Sequence, residues 1–250
     1  MEVHVLASGS DGNCTVIVHD DEAVMIDAGL SGKLISSLME KNGLDPSIIS
    51  GILLTHEHSD HVQGAGIMAR KLDVPIYCNE RTLSMCNLGH ISYCRTTTLQ
   101  EFRIGGMEIL PLPTSHNAIE PNAFRVSADG DVVLLATDTG KLTAPVEKAL
   151  GEADVAIIES NYDKVMLETG PYPKMLKDWV GSDTGHLSNL DCAAGIKRTM
   201  KEHRKIFLAH LSRNNNTPDT ARETVASVTG IKRFNIDCLE FRGDTRILRV

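Results

Sequence analysis

Apolar residues in the first half of the chain form short runs typical of β-strands, with helical spacing between some of them. Strands are predicted at residues 2–7, 14–19, 23–27, 51–55 and 75–78. Helical periodicity covers residues 30–41 and 62–72, and the pair Asn42-Gly43 should end the first of these helices. The N-terminal half therefore predicts a sheet whose later strands alternate with helices.

The second half of the chain repeats this pattern of strands followed by strand–helix alternation. Strands are predicted at residues 106–112, 123–128, 131–137, 154–159 and 205–210, and helices at residues 144–150 and 188–203. A capping box, Ser188-x-x-Asp191, should open the longer helix, and Thr217-Pro218 should start a last one. Residues 237–242 and 245–250 predict a closing hairpin. No linker or short repeat divides residues 1–250, so we expect one α/β domain with two facing sheets and helices outside.

Composition is that of a soluble globular protein, with 42% hydrophobic and 23% charged residues among 250. No apolar run approaches the ~20 residues of a membrane span, and the N-terminus lacks a signal-peptide pattern. Six scattered cysteines without a Cys-x-x-Cys pair predict reduced thiols in the cytoplasm. The net charge of −8 argues against broad electrostatic adhesion to nucleic acid or membrane. It does not exclude a nuclease, because bound divalent cations reverse the local field.

The run Thr-His-Glu-His-Ser-Asp-His at residues 55–61 carries four side chains that can bind a metal ion. Residues two apart in an extended segment point the same way, so His56 and His58 can hold one cation together. Asp60 and His61 are adjacent, and a turn into a helix would direct them to a second point nearby. One loop could therefore serve two metal ions ~3.5–4 Å apart, the arrangement that activates water against esters and phosphodiesters.

Three more metal-competent residues each follow the carboxyl end of an apolar strand: His116, Asp138 and His210. Taken singly, such a histidine is more often a loop residue, and such an aspartate a turn or cap residue. If these residues and the run at 55–61 all had only such ordinary uses, their occurrence in this fixed order would require several unrelated coincidences. The set therefore predicts a dinuclear metal site on a rigid strand edge.

In that order, these residues resemble the metallo-β-lactamase superfamily along the whole chain. The resemblance implies a four-layer αβ/βα sandwich, in which two facing mixed sheets are flanked by helices. It also implies that Asp138 bridges two metals together with a nucleophilic hydroxide, and that Asp27 steadies the metal loop. The implied ligands are His56, His58 and His116 for one metal, and Asp60, His61 and His210 for the other.

Four shorter motifs resemble a narrower group, the YycJ/WalJ branch, described as bacterial 5′-to-3′ DNA exonucleases related to ribonucleases Z and J. These motifs are Ser8-Gly9-Ser10-x-Gly12-Asn13, the run at 159–163, Gly185-His186-Leu187-Ser188-Asn189 and the run at 208–212. Roughly seventy residues separate Asp138 from His210, so the β-CASP insertion of longer nucleases is absent. The implied activity is a metal-dependent phosphodiesterase with zinc or manganese, and DNA is favoured over RNA as substrate.

Further candidate residues surround the predicted ligands. Asp60 could accept a proton from the attacking water, and His186 could protonate the 3′-oxygen leaving group, with Glu159 fixing its tautomer. The alternative for His186 is a buried histidine that satisfies its own loop. Ser10 and Asn13 could form a phosphate nest or merely a hairpin turn. The exposed N–H groups at the Ser188 helix start favour phosphate, and Arg213 could contact substrate or belong only to a loop.

A small-molecule hydrolase on the same fold is the main rival: a cyclic phosphodiesterase, a lactonase or a thioesterase. A glyoxalase II usually adds a helical domain, whereas this chain is predicted to end in strands, and lactamases commonly lack the bridging aspartate. A non-catalytic relative would usually have lost ligands. The acidic net charge opposes the nuclease reading unless Lys164, Lys174, Lys177 and Arg213 form a local basic face. No protein partner or oligomeric state follows from the sequence.

Overall fold

Two seven-stranded mixed sheets form the centre of the chain, seen in a computed structural model that describes residues 1–239 and the backbone of residues 246–249. The first sheet has the order β14-β1-β2-β3-β4-β5-β6 and the second the order β13-β12-β11-β10-β9-β8-β7. The strands of the first sheet are β1 (Glu2–Ala7), β2 (Cys14–His19), β3 (Glu22–Ile26), β4 (Ile49–Leu53), β5 (Ile76–Cys78), β6 (Tyr93–Arg95) and β14 (Arg246–Arg249). Those of the second are β7 (Phe102–Ile104), β8 (Met107–Pro113), β9 (Asn122–Ala128), β10 (Asp131–Ala136), β11 (Val155–Glu159), β12 (Lys205–Ala209) and β13 (Ile236–Cys238).

Each sheet is antiparallel on one side and parallel on the other. In the first sheet β1, β2 and β3 pair antiparallel, whereas β3 to β6 pair parallel. In the second sheet β7 to β10 pair antiparallel, whereas β10 to β13 pair parallel. The carboxyl ends of parallel strands meet at one edge of a sheet, where an α/β protein carries its sites.

Nine helices lie among the described residues, on the outer faces and in the connections. They are α1 (Gly32–Lys41), α2 (Ser59–Val62), α3 (Ala65–Leu72), α4 (Glu80–Met85), α5 (Ala144–Glu152), α6 (Lys164–Thr169), α7 (Lys174–Val180), α8 (Asn189–Arg198) and α9 (Pro218–Thr229). Two 3₁₀ turns occupy Pro46–Ile48 and Arg233–Asn235. Over residues 1–239, no helix is both long enough and apolar enough to span a bilayer.

The hydrophobic core is divided into three layers that follow this architecture. Between the sheets, side chains of both pack together, among them Val5 and Phe124. Outside the first sheet, α1 and α3 bury residues such as Ile35 and Met68 against the strands. Outside the second sheet, α5, α8 and α9 do the same with residues such as Ile196. The expected four-layer sandwich is confirmed.

Three details of the sequence prediction were wrong. The helix expected at 62–72 is split into α2 and α3, because the Gly64 N–H donates to the Ala28 carbonyl at 2.7 Å. The helix expected at 188–203 ends at Arg198, where the Thr199 hydroxyl bonds back to the Gly195 carbonyl at 2.8 Å.

The third error concerns the chain end. The strands predicted to form a closing hairpin belong to different sheets: β13 pairs with β12, and β14 pairs with β1. Residues 240–245 of that prediction lie outside the described residues. The short elements β6, β7, α4, α6 and α7 had no predicted counterpart.

Candidate metal centre

The predicted ligands converge at one edge of the sandwich, where strands of both sheets end. The first sheet contributes the loop that follows β4 and enters α2. The second sheet contributes residues that follow three different strands: His116 after β8, Asp138 after β10 and His210 after β12. Donor atoms of His56, His58 and His116 lie within 4.8 Å of one another, and so do those of Asp60, His61 and His210.

The loop after β4 is held by the buried carboxylate of Asp27, at the end of β3. The Thr55 backbone N–H donates to Asp27 Oδ1 at 2.9 Å, and the Thr55 hydroxyl donates to Oδ2 at 2.9 Å. The His61 Nδ1–H donates to the same Oδ2 at 2.7 Å. Asp27 has a left-handed backbone with φ of 58°, a conformation that aspartate tolerates better than most residues. One side chain therefore fixes both ends of the metal loop.

Gly29 allows the backbone that follows Asp27 to press against α2. A Cβ atom at Gly29 would lie 1.6 Å from the Asp60 carbonyl oxygen and 2.7 Å from the Asn13 nitrogen. In this space the Asn13 N–H donates to the Asp60 carbonyl at 2.8 Å, and the Gly29 N–H donates to the Asn13 carbonyl at 2.8 Å. Only glycine fits this three-way backbone contact, which sets the depth of the metal loop.

Glu159, at the end of β11, braces the second sheet's side of the centre. Its Oε1 accepts from His186 Nδ1 at 2.7 Å and from His210 Nδ1 at 3.2 Å. Its Oε2 accepts from the Thr139 backbone N–H at 2.8 Å, directly after Asp138. The carboxylate is fully buried, so these contacts supply the stabilisation that solvent would otherwise give. It ties together the loops that follow three strands.

These contacts determine which histidine nitrogens carry a proton. A carboxylate or carbonyl oxygen only accepts, so Nδ1 is the donor in His61, His186 and His210. The same holds for His116, whose Nδ1 donates to the Gly185 carbonyl at 2.9 Å. In His61, His116 and His210, Nε2 is then the nitrogen left for a metal, the usual arrangement of histidine ligands with an acceptor behind them.

His56 and His58 give the clearest sign that a cation fits here. The Thr55 hydroxyl gives its hydrogen to Asp27, so its oxygen accepts from His56 Nδ1 at 3.0 Å, leaving Nε2 unprotonated. His58 Nε2 donates to the Asn117 carbonyl at 3.1 Å, leaving Nδ1 unprotonated. These two lone-pair nitrogens face each other at 3.0 Å. Two imidazole nitrogens on one tetrahedral metal would be about 3.4 Å apart.

Asp138 lies between the two groups of donors. Its Oδ2 is 3.2 Å from His61 Nε2, and its Oδ1 is 3.7 Å from His210 Nε2 and 3.8 Å from His116 Nε2. Among the described residues, Asp138 Oδ2 and His210 Nε2 are buried without a hydrogen-bond partner. Such atoms are costly to bury unless a ligand satisfies them. The donor set fits divalent metal ions.

The same geometry perturbs the titration of these groups. Burial lowers the pKa of His61, but the charges of Asp27 and Asp138 outweigh burial and hold it well above its ordinary value. Burial likewise opposes protonation of His210, yet Asp138, Asp60 and Glu159 raise its pKa to about 10. In His56, burial and the charge of His61 lower the pKa well below the usual value. The carboxylates thus attract positive charge to the His61–His210 side of the centre.

Comparison with known proteins agrees with this geometry. A family model described as the beta-lactamase superfamily domain matches residues 22–210, and the histidine and aspartate clusters lie within it or at its end. The chain belongs to the metallo-β-lactamase superfamily.

Within the superfamily, the chain is similar to the YycJ/WalJ proteins. It is 37% identical to exodeoxyribonuclease YycJ of Bacillus anthracis over 93% of this chain and 90% of the relative. It is 36% identical to exodeoxyribonuclease WalJ of Streptococcus pneumoniae over 89% and 86%. The metallo-β-lactamase fold protein YhfI of Bacillus subtilis superposes with a TM-score of 0.74 at 18% identity, covering 98% of each chain. The resemblance to the superfamily and to this branch is confirmed.

The predicted metal ligands lie together, but the residues predicted to contact substrate lie in several different places. Ser10 is exposed and lines a cavity of about 90 Å³ with Arg213, whose guanidinium pairs with Asp11. Asn13 is buried, and its side-chain amide nitrogen lies 3.0 Å from His61 Nε2, so it contacts the metal-facing side of that ring. Ser188 is fully buried as the N-cap of α8, and its hydroxyl accepts from the Asp191 N–H.

The basic face that the sequence suggested is compensated by carboxylates. Lys164, Lys174 and Lys177 do line one cavity of about 910 Å³ behind the loop that carries His186. However, the Lys164 ammonium lies 3.1 Å from Asp191, and Lys174 lies 2.9 Å from Asp178. Arg213 is elsewhere and is paired with Asp11. This cavity does not relieve the acidic balance of the protein.

Several residues of the centre were not found from the sequence. Thr55 links Asp27 to His56, and carbonyl groups of Asn117 and Gly185 fix the tautomers of His58 and His116. Trp179 stacks edge-on against His186, with ring centroids 5.5 Å apart. Contacts made by backbone carbonyl groups cannot be recognised from the residue type. Of these residues, only Thr55 could have been found from its position, because it directly precedes the histidine run.

Proposed function

We propose that this chain is a metal-dependent exonuclease that removes nucleotides from the 5′ end of DNA. The observation that carries the proposal is the convergence of the Nε2 atoms of His61 and His210 on the carboxylates of Asp60 and Asp138. The relatives similar over most of the chain are named exodeoxyribonucleases, which supports DNA over other phosphodiesters. His58 and Asp60 are only partly buried, which supports entry of a DNA end from their side of the centre.

His56, His58 and His116 would hold one divalent ion, and Asp60, His61 and His210 the other, with Asp138 between them. Histidine-rich coordination suits zinc, while the mixture of nitrogen and oxygen donors also suits manganese. When bound, such a metal pair supplies Lewis acidity to the phosphoryl oxygens and makes water nucleophilic at neutral pH.

The chain's own residues would then manage the protons of the reaction. Asp60 lies at the open side of the centre, with 23% of its side chain exposed. Burial raises its pKa, but the neighbouring His210 and His61 outweigh burial and hold the pKa below the ordinary value. It is therefore ionised, and it can orient the attacking water and accept its proton. Water adds to phosphorus, the bond to the 3′-oxygen breaks, and the shortened strand keeps the phosphate on its new 5′ end.

His186 would protonate the leaving 3′-oxygen. Its ring is tied through Nδ1 to Glu159 and stacked against Trp179, so Nε2 is the free position of a well-fixed imidazole. The ring lies near the centre, since Nδ1 is 3.8 Å from Asp138 Oδ1. The bond to Glu159 fixes the orientation of the ring, which a general acid requires.

An oligonucleotide labelled separately at each end tests the proposal. With zinc or manganese, the wild-type chain should release labelled mononucleotide from the 5′ end first, and His61→Ala should abolish release. His90→Ala, which changes an exposed histidine away from the centre, should leave the rate unchanged. Cleavage only of a thioester, a lactone or a cyclic phosphodiester, with DNA intact, would overturn the nuclease proposal and leave the metal centre standing.

A further inference from the structure

A second concave surface lies at the opposite edge of the second sheet from the metal centre. This basic groove has a volume of about 690 Å³ and a floor that includes Ile206 and Phe207. Its charged lining residues are Lys201, Arg204, Lys205, Lys232, Glu202 and Asp237. Lys201 is paired with Asp154 at 2.5 Å, so Arg204, Lys205 and Lys232 are the cations set against the carboxylates of Glu202 and Asp237. The net charge of the protein is −8.

The groove is separate from the candidate metal centre. Lys205 begins β12, and His210 follows the end of the same strand. At about 3.3 Å per residue, the two ends are roughly 17 Å apart. A ligand in the basic groove therefore cannot contact the metal ligands unless it is long enough to reach around the edge of the sandwich.

Arg204 is the unusual residue of the groove. It is nine-tenths buried, and its two terminal nitrogens bond only to the backbone carbonyl and hydroxyl of Thr199. Its Nε is buried with no partner among the described residues, and no carboxylate there lies within ion-pair distance of it. Asp154, which pairs with Lys201, acts on this guanidinium only at longer range. A guanidinium buried this far without a direct ion pair is costly unless an anion supplies one.

An exposed aromatic ring lies beside these cations. Phe234 sits in the 3₁₀ turn Arg233–Asn235, between the lining residues Lys232 and Asn235, and is 78% exposed. The Lys232 ammonium lies 5.7 Å from the ring centroid. Cations that follow a phosphate backbone, next to an aromatic ring that can stack on a base, are the features by which proteins hold single strands.

We infer that the basic groove binds a single-stranded segment of nucleic acid, with phosphates on Arg204 and Lys232 and a base stacked on Phe234. A base inside a duplex has no free face, so the ring selects an unpaired strand. The choice of nucleic acid rests on the proposed nuclease function. The groove would hold a distant part of a nucleic-acid strand whose 5′ end occupies the metal centre. This second contact would raise affinity and take no part in the reaction.

Two exposed residues allow a test that spares the buried core: Lys232→Glu and Phe234→Ala. The probe is a fluorescent phosphorothioate 20-mer of thymidine, which resists cleavage, bound to the metal-loaded full chain. Lys232→Glu should weaken binding about tenfold and lower the slope of log affinity against log salt by about 0.7 or more. Phe234→Ala should weaken binding of this probe about fivefold or more and leave a blunt duplex unaffected. Lys33→Glu and Tyr93→Ala, exposed on the first half of the chain, are the matched controls and should bind as wild type.

Steady-state cleavage separates this inference from the proposed function. For an unmodified 20-mer, both groove variants should raise KM and keep kcat, whereas a dinucleotide, too short to reach the groove, should be cleaved as by wild type. Unchanged 20-mer binding in both variants, or displacement of the probe by oligoglutamate as readily as by thymidine 20-mer, would overturn the inference. If no DNA is cleaved but the binding differences hold, the proposed function fails and the groove assignment stands.

Discussion

The first sheet delivers four predicted ligands on one loop, whereas the second delivers three on the ends of three separate strands. Despite this difference, each sheet uses the same device behind its ligands, a buried carboxylate that orients histidines. Asp27 fixes the His61 ring and the Thr55 backbone, and Glu159 fixes the rings of His186 and His210. The ligands on one loop and the ligands on three strand ends are therefore both held in position by a buried carboxylate.

The two sheets also share an unusual backbone conformation at residues of the centre. Asp27 in the first sheet and Asp138 and His210 in the second all have positive φ, between 56° and 58°. Asp27 and His210 directly follow a strand and Asp138 comes two residues after one, where the chain must turn the side chain toward the centre. Left-handed residues other than glycine are uncommon and concentrate at functional sites, where the surrounding structure holds them.

The largest expected effect comes from removing one ligand on each side. His61→Ala and His210→Ala should each reduce the cleavage rate by about a thousandfold or more, because each leaves a metal with an incomplete set of donors. Equal losses would support a centre shared by both sheets. If His210→Ala retained most of its activity in an end-labelled oligonucleotide assay, the second sheet would not contribute as described.

The next effect separates the two bracing carboxylates. Asp27→Asn and Glu159→Gln keep the shape of the side chain but weaken the acceptor behind a ligand, so metal affinity should fall by about 10- to 100-fold in each. Glu159→Gln should also lower kcat at saturating metal, because it touches His186. Chelator competition measures the affinity, and Asp45→Asn, an exposed cap remote from the centre, is the control. Unaltered metal affinity in both variants would contradict the bracing role.

The sequence was most informative where the site is local. The run at 55–61 shows its four donors directly, and the strand-to-helix change that separates Asp60 and His61 from His56 and His58 is present as expected. His116, Asp138 and His210 were weaker candidates, since a single histidine or aspartate after a strand has many ordinary uses. Their combination with the run at 55–61 selected them, and the family resemblance assigned their roles. Their contacts depend on residues far away in the chain, such as Gly185 behind His116.

The elements that the sequence missed are short or depend on tertiary contacts. Strands β6 and β7 have three residues each, too few to show an alternating pattern. The short extent of helix α2, four residues, is set by its packing on Ala28 and Asn13, not by periodicity. The hairpin at the chain end was wrong because two adjacent apolar runs do not show which sheet each will join.

A smaller effect tests how closely the first sheet's loop is packed. Gly29→Ala should lower the free energy of unfolding by about 3 kcal/mol, since its Cβ would overlap the Asp60 carbonyl and force the loop outward. Gly151→Ala, within α5 and with open space around it, should instead raise stability by about 0.5–1 kcal/mol. Denaturant unfolding measures both. Equal stability of the two variants would contradict the close approach.

The smallest expected effect is a pH dependence that appears only without metal. His61 and His210 have raised pKa values in the fold, so their protons stabilise the metal-free protein fully below about pH 6.5. That contribution is lost as pH rises toward about 10, the pKa of His210. Metal-free protein should therefore lose stability over this window, while metal-loaded protein should not. If the free energy of unfolding depended on pH equally in the metal-free and metal-loaded forms, the prediction would be contradicted.

The metal content of the purified, metal-replete chain tests the central claim most directly. Elemental analysis should find about two divalent ions per chain, falling to about one in His61→Ala and in His210→Ala. Fewer than one ion per wild-type chain, or a content unchanged by either substitution, would contradict a centre built jointly by the two sheets.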